Sequence, residues 1–445
     1  MSDATSAAGA TWLDRSLRVF GDVRAGEGVG VLLMFTNIFV LLMTYYILKT
    51  VREPLILTGG GAEIKSYAAA VQALVLIAYV PLYSWLASSV RRRTLLVTVV
   101  VFFFGCVQLF FLAAKANVPY LGFAFFVWVG IFSLTAISQF WSYANDIYTR
   151  NEGERLFPLI AVGSTIGAPL GAVIAERLFG LGLDPYTLMQ IAAVMLLVHL
   201  GLYEVIDRGR RRTAAVPSEQ MATQRREGFA LVFRSKYLML MALLLIVLNL
   251  VNTTGEYILS RQVVDAADAH TAADAAFDRS AYIGAYFGRY FFWVNIAAIL
   301  IQAFVVSRLV KYGGIAAALF ALPIVSLGVY GLLATGVSLT YTRWAKTLEN
   351  ATDYSAMNTA KQMLWLPTSR EEKYQAKQAI DTFFVRFGDM LAAAVVFIGS
   401  HWLAFSASGF AIGNLLFVAG WIGITFLLLR EYHNLSLRPG REKAA

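Results

Sequence analysis

Apolar residues in this chain are gathered into runs of about 20, and polar residues fall mainly in the gaps between runs or along one face of a run. Runs stand near 29–50, 66–87, 94–114, 119–146, 155–178, 186–206, 236–259, 281–306, 314–335, 339–363, 377–400 and 406–429. Each is long enough, as a helix, to cross a hydrocarbon layer about 30 Å thick. The pattern predicts an all-α membrane protein with twelve transmembrane helices. The gap at 207–235 is the longest, carries Arg208, Arg210, Arg211, Arg212, Arg225, Arg226 and Pro217, and falls near the midpoint. It predicts a linker between two six-helix halves, residues 1–206 and 236–445, related by pseudo-symmetry. Short matches between the halves agree: Tyr46-Ile47-Leu48 with Tyr257-Ile258-Leu259, and Asn145 followed by Glu154-Arg155 with Asn358 followed by Glu372-Lys373.

Composition points the same way. Of 445 residues 58% are hydrophobic and 15% charged, against about 25% charged in a soluble domain. The net charge of +9 is a matter of topology. Basic residues crowd the N-terminus and every second gap, including Arg91-Arg92-Arg93 and the terminal Arg438, Arg441 and Lys443, while the alternate gaps hold Lys65, Lys115, Arg177, Arg261 and Arg279. That asymmetry predicts the cytoplasmic (inner) membrane of a bacterium, with both termini in the cytoplasm. A nucleic-acid partner is not expected. A single Cys106 leaves no disulfide framework, and His199, His270, His401 and His433 lack ligand spacing, so neither metal nor cofactor is expected. The first run follows a polar, Arg-containing leader and reads as an anchor rather than a cleaved signal. Asp265, Asp268, Asp274 and Asp278 in the gap at 261–280 lack the central Gly and closing Glu of a calcium loop. Gly59-Gly60-Gly61 is not followed by the Gly-Lys-Ser/Thr of a phosphate loop, since Ile64 precedes Lys65-Ser66, and no nucleophile elbow, zinc-protease or kinase motif is present. Catalysis has no support.

Charge inside a span is costly, about 2.5–3.5 kcal/mol per residue at mid-helix, so it faces a cavity or a partner. In the tenth run Arg343, Lys346, Asn350, Asp353, Met357 and Lys361 share an arc of about 80° at 100° per residue, over about 27 Å. The seventh aligns Asn249, Asn252, Thr253, Glu256 and Ser260, and the fourth Ser138, Ser142, Asn145 and Thr149. The first ends with Tyr45, Lys49 and Arg52, with Glu53 four residues beyond Lys49 and Pro54 expected to end the helix. Polar faces on runs 1, 4, 7 and 10 match the cavity-lining helices of a major-facilitator-like fold by analogy. Lys49, Arg52, Asn145, Asn252, Glu256, Arg343, Lys346, Asn350, Asp353 and Lys361 are therefore candidate substrate-binding residues, with Glu53, Asp146, Arg289, Arg386 and Asp389 as gating or coupling candidates. Two plainer readings stand beside these: Lys49, Arg52 and Glu53 as snorkelling charges at a helix end, and Asp353 with Lys361 as an internal latch. Gly163, Gly167 and Gly171, with Pro169, read as helix packing or as a likeness to the Gly-Pro segment of major-facilitator antiporters.

Several segments resemble the nucleotide (ATP/ADP) translocases of plastids and obligate intracellular bacteria. They are Tyr46-Ile47-Leu48-Lys49-Thr50-Val51-Arg52-Glu53-Pro54-Leu55, Phe140-Trp141-Ser142-Tyr143-Ala144-Asn145-Asp146, Glu154-Arg155-Leu156-Phe157-Pro158-Leu159, Thr359-Ala360-Lys361-Gln362-Met363-Leu364-Trp365-Leu366-Pro367 and Lys373-Tyr374-Gln375-Ala376-Lys377-Gln378-Ala379-Ile380-Asp381. The resemblance implies a twelve-helix carrier that exchanges ATP for ADP or another nucleotide pair without hydrolysis; separately, a monomer in the bilayer is expected. It also implies that Lys49, Arg52 and Lys361 neutralise phosphates. Where exchanging members carry acidic residues in the fourth and seventh spans, this chain has the apolar stretch around Val129 and the amide Asn252, with Glu256 one turn away. The alternatives are proton-coupled transport of another organic or phosphorylated anion, with Glu256 or Asp353 as proton carrier, and a non-transporting scaffold or lipid-handling protein.

Overall fold

The computed structural model describes residues 11–19, 21–90, 92–210, 225–369 and 372–436. Arg211, Arg212 and Pro217 of the central linker, Arg91, and the terminal Arg438, Arg441 and Lys443 lie outside them. All regular structure among the described residues is helical. In chain order the helices are α1 (Trp12–Leu17), α2 (Gly28–Ser89), α3 (Arg92–Lys115), α4 (Leu121–Ile147), α5 (Arg150–Gly180), α6 (Pro185–Arg210), α7 (Arg225–Arg234) and α8 (Lys236–Ala273). There follow α9 (Arg279–Ile301), α10 (Ser307–Ala334), α11 (Leu339–Thr352), α12 (Asn358–Met363), α13 (Lys377–Ala379), α14 (Val385–His401) and α15 (Ala407–Ser436). Short π-helical turns at Gln302–Val306, Asp353–Met357, Glu372–Ala376 and Ile380–Phe384 join α9 to α10, α11 to α12, and the pieces leading into α14.

Nine helical stretches among the described residues are long and apolar enough to cross a membrane. Two of them, Gly28–Tyr83 and Arg279–Ala334, run to 56 residues, about 84 Å at 1.5 Å per residue. Each exceeds one crossing of a bilayer and is broken once, at Gly61 (φ 72°, ψ −172°) and at Gly314 (φ 60°, ψ −158°). Only glycine adopts that backbone without strain. The segment α11–α12 is too polar to count among the nine, because it carries the charged face of the tenth run. Phe102, Leu109, Leu112, Phe304, Leu416 and Phe426 point outward, as expected where lipid is the solvent.

Pro54 does not end the first helix as expected: α2 runs through it to Gly61. α2 packs along α4, α5 and α6, while α8 packs on α14 and α15, and α10 on α15. The α2–α5 contact is close because Gly163, Gly167 and Gly171 face the carbonyls of Phe35, Phe39 and Met43, one turn apart. A side chain at any of the three would overlap that backbone, so the packing reading of the glycines accounts for them. Phe103, Phe110, Phe125, Trp128 and Phe132 interlock α3 with α4, their ring centroids 5.1–5.9 Å apart.

The N-terminal segment is tied down before the first crossing. The Asp14 carboxylate accepts from the Thr11 amide and hydroxyl (each 2.8 Å), from the Gly26 amide at 3.1 Å and from the Gly28 amide at 2.8 Å. The last of these are free donors at the start of α2, so α1 caps a longer helix. Arg155, at the start of α5, donates to Glu27 at 2.8 Å and to the Asp22 carbonyl.

Candidate functional site

Burying a charge in a low-dielectric interior is tolerable only with a partner in good geometry, so the placement of each buried ion shows how the spans are arranged. Glu53 has no exposure at all. Its Oε1 accepts from Arg52 at 2.7 Å, and its Oε2 lies 2.7 Å from Lys65 Nζ. Lys65 sits just past the Gly61 break and reaches across to α8, donating to Ser260 Oγ at 3.0 Å and standing 4.0 Å from Glu256. The sequence pattern puts Lys65 in a gap between runs and sets Glu53 against Lys49. In the structure Lys65 is buried, and it is the missing counter-ion of Glu53. The break at Gly61 folds the following helix back so that Lys65 returns to the depth of Glu53.

Lys49, one turn before Glu53, has no carboxylate partner among the described residues. Its ammonium lies 4.3 Å from the Phe291 ring of α9 and 5.1 Å from that of Tyr46, an arrangement that leaves a cation attracted but not neutralised. The Arg52 guanidinium covers Phe126 of α4 at 4.1 Å. Tyr46 in turn donates to Asn295 of α9 at 3.1 Å. Lys49, Arg52, Glu53, Lys65 and Glu256 thus form one group where α2, α4, α8 and α9 meet.

The tenth-run residues part company. Lys346 is fully buried and bonded to Glu349, which also accepts from Ser326 Oγ at 2.9 Å and the Tyr330 hydroxyl at 3.2 Å. Asn252 is at the edge of this cluster, its Oδ1 3.5 Å from Lys346. Asn350 donates to the Tyr290 hydroxyl at 2.7 Å. Lys346 and Asn350 are therefore committed to protein partners in this conformation. The helical arc does not single out Glu349, although its i,i+3 spacing from Lys346 is the usual ion-pair signal. Arg343 lies 5.2 Å from the Trp344 ring with its buried Nε unpaired.

Asp353 pairs with Lys361 at 3.2 Å, the latch alternative. A common arc through both assumes an unbroken α-helix. The π turn at Asp353–Met357 adds a residue to the winding there and shifts the phase between Asn350 and Lys361. Arg386 pairs with Asp389 at 3.3 Å, and Asp389 accepts from Thr253 of α8 at 2.8 Å. Arg289 of α9 pairs with Glu176 of α5 at 2.7 Å. Asn145 and Asp146 are in the last turn of α4, exposed and at the opposite end of the fold from the Glu53 group.

Toward the Gly61 end, polar contacts join α2–α6 to α8–α15: Lys65 to Ser260, Tyr46 to Asn295, Arg289 to Glu176, Arg279 to the Leu57 carbonyl at 3.4 Å, and His401 to Glu63 at 3.9 Å. At the opposite end, Arg155–Glu27, Arg93–Glu204 and Lys236–Glu431 each stay within one group of helices. Between α2, α4 and the turn before α14 a cavity of about 270 Å³ remains open, lined by Tyr79, Tyr83, Thr135, Ser138, Asp381 and Arg386.

A helical bundle whose apolar faces point outward and whose ions pair across an internal seam is a multi-pass membrane transporter of major-facilitator-like architecture. The chain belongs to the TLC ATP/ADP transporter family, whose model matches residues 18–121 and 124–432. It is 25% identical over 315 residues to the ADP,ATP carrier protein 1 of Chlamydia pneumoniae, covering 60% of this chain and 58% of that protein. To its counterpart in Chlamydia trachomatis it is 24% identical over 436 residues, covering 80% and 79%. Among solved structures it is similar in fold to the nucleoside transporter NupG (TM-score 0.61, 13% identity, 90% of this chain and 98% of that one). A POT family transporter in complex with 5-aminolevulinic acid gives TM-score 0.63 at 13% identity, over 92% and 96%.

Proposed function

We propose that the protein is a nucleotide carrier that exchanges ATP for ADP, or a closely related pair, by alternating access and without hydrolysis. Twelve crossings in two six-helix halves, residues 1–206 and 236–445, would rock about the seam between them. It would work as a monomer in a bacterial cytoplasmic membrane with both termini inside, and with no nucleic-acid partner. The observation that carries the reading, beside family membership, is the set Lys49, Arg52 and Lys65 at the junction of α2, α4, α8 and α9. A polyphosphate needs several fixed cations, and a guanidinium fork fits phosphate oxygens. Of the three, Lys49 has no carboxylate partner among the described residues, while Arg52 and Lys65 share Glu53 and Lys65 also stands 4.0 Å from Glu256. Asn252, Glu256, Arg343 and Lys361 complete the proposed binding set, with Glu53, Arg289, Arg386 and Asp389 as gating or coupling groups.

Proteoliposomes loaded with ADP should take up labelled ATP, and unloaded vesicles should not. Absence of counter-flow across a panel of nucleotides overturns the reading. A second reading is a proton-coupled carrier of another phosphorylated anion, with Asp389, bonded to both Thr253 and Arg386 between α8 and α14, as the group that takes the proton. Uptake driven by a pH gradient and abolished by Asp389→Asn would select it.

A further inference from the structure

The cavity between α2, α4 and the turn leading into α14 is not occupied by the cation set, and its walls are of a different kind. Tyr79 and Tyr83, one turn apart on α2, hold their rings nearly parallel, with centroids 5.9 Å apart and an interplanar angle of 20°. They stack on each other, too closely spaced to admit a third ring between them. The Tyr79 hydroxyl is fixed by Thr135 Oγ1 at 2.9 Å. Opposite, the π turn Ile380–Phe384 carries Asp381 and Thr382 into the cavity. π turns occur often at binding sites because the extra residue bulges side chains out of the helical register. Three polar groups lining the space have no hydrogen-bond partner among the described residues: the Tyr83 hydroxyl, the Ser138 hydroxyl and the Asp381 carboxylate. Arg386, also at the wall, is already paired with Asp389.

A phosphate would find a poor site here, since the one carboxylate without an ion pair would repel it. A planar, uncharged heterocycle bearing N–H donors would find a stacking wall, two hydroxyls that give or accept, and an acceptor-only carboxylate. The volume, about 270 Å³, lies just under the range usual for small-ligand sites. We propose that this cavity is the nucleobase subsite of the carrier, that Tyr83, backed by Tyr79, stacks on the base, and that Asp381 reads an exocyclic amine on it. The inference rests on the nucleotide reading above and adds to it: the cations meet the phosphates, while specificity among nucleotides resides in α2, α4 and the α14 turn.

The test compares ATP, ITP and inorganic tripolyphosphate as ligands of the purified full-length protein and as competitors of labelled ATP exchange. ATP and ITP differ at the edge of the base that carries the amine assigned to Asp381, where inosine presents a carbonyl oxygen instead. The wild type should prefer ATP to ITP by about tenfold or more, the usual scale for a hydrogen bond to a charged group. Asp381→Asn, whose amide can donate to the inosine oxygen, should collapse or invert that ratio. Tyr83→Ala should lower the ATP-to-tripolyphosphate affinity ratio by about tenfold. Tyr83→Leu, which keeps the bulk and loses the aromatic face, should do the same if the alanine variant does not fold. An ATP-to-ITP ratio that stays unchanged in Asp381→Asn, or Tyr83 variants that weaken ATP and tripolyphosphate by the same factor, overturns the subsite while leaving the transport reading intact. A wild type that binds tripolyphosphate but no nucleotide overturns both.

Discussion

Lys346 and Glu349 show what a single buried ion requires. With Lys346 at zero exposure and Glu349 bonded to Ser326 and Tyr330 as well, either charge alone would be stranded in an apolar interior. Removing one partner of such a pair costs about 3–5 kcal/mol, whereas replacing both is often neutral. Lys346→Met should therefore lower the thermal unfolding temperature sharply in detergent. Lys346→Met with Glu349→Gln, which keeps an acceptor for Ser326 and Tyr330, should recover most of the loss. Asp14 makes the equivalent point at the water-exposed end. Burial pushes its carboxyl up, but the hydrogen bonds from Gly26, Thr11 and Gly28 outweigh that and hold it down to about 2, against an ordinary 3.8. A depressed carboxyl stabilises the folded form above its unfolded value and loses that contribution as pH falls toward the folded one. Protection of the Gly26 and Gly28 amides from exchange should be constant from neutral pH to about 4 and then fall between about 4 and 2. Asp14→Asn should leave both amides poorly protected throughout.

The face of α5 that meets α2 is where element-scale packing is least forgiving. Gly163, Gly167 and Gly171 each put a backbone carbonyl of α2 where a side chain would be, and a rigid carbonyl cannot shift as a side-chain tip can. Overpacking a core ordinarily costs about 1–3 kcal/mol; Gly167→Val should exceed that, read as loss of folded protein in detergent, while Gly201→Ala on α6, where nothing is near, should be neutral. How much of this was legible in the sequence follows from what each signal depends on. Run length and hydrophobicity depend on local composition, so the membrane helices were readable, and the i+4 glycines announced close packing. The charged faces of the first and seventh runs were readable too, because each lies on one uninterrupted helix. Lys65 was not, since its partner depends on how the chain folds back at Gly61. The phase of Lys361 was not, since a π turn leaves no composition signal in Asp353–Met357. Pro54 misled for a related reason: a proline stops an isolated helix, but this one is held in place by neighbours on several sides. The Tyr79–Tyr83 wall went unnoticed because two tyrosines four apart in an apolar run look like ordinary membrane-facing residues.

Taken whole, the molecule is fastened across the seam toward the Gly61 end. The bonds from Lys65, Tyr46, Arg279 and Arg289 across the seam all have to break before the Gly61 end can open. Bridging Glu176→Cys to Arg289→Cys with a short reducible thiol linker, in a Cys106→Ser background, should halt exchange, and cleaving the linker should restore it. Counter-flow that persists in the bridged protein would place the moving seam elsewhere. On the proposed alternating access, the π turn at Asp353–Met357 would give that motion a second degree of freedom. Because it stores one residue more than an α-helical turn, relaxing it to α geometry would not bend the helix; it would wind the lower part about its own axis by about 100°, the angle of one residue. Lys361 would swing away from Asp353 like a key turned in a barrel while α11 above it stayed still, so that a lysine could be presented to a bound anion or withdrawn from it by torsion alone.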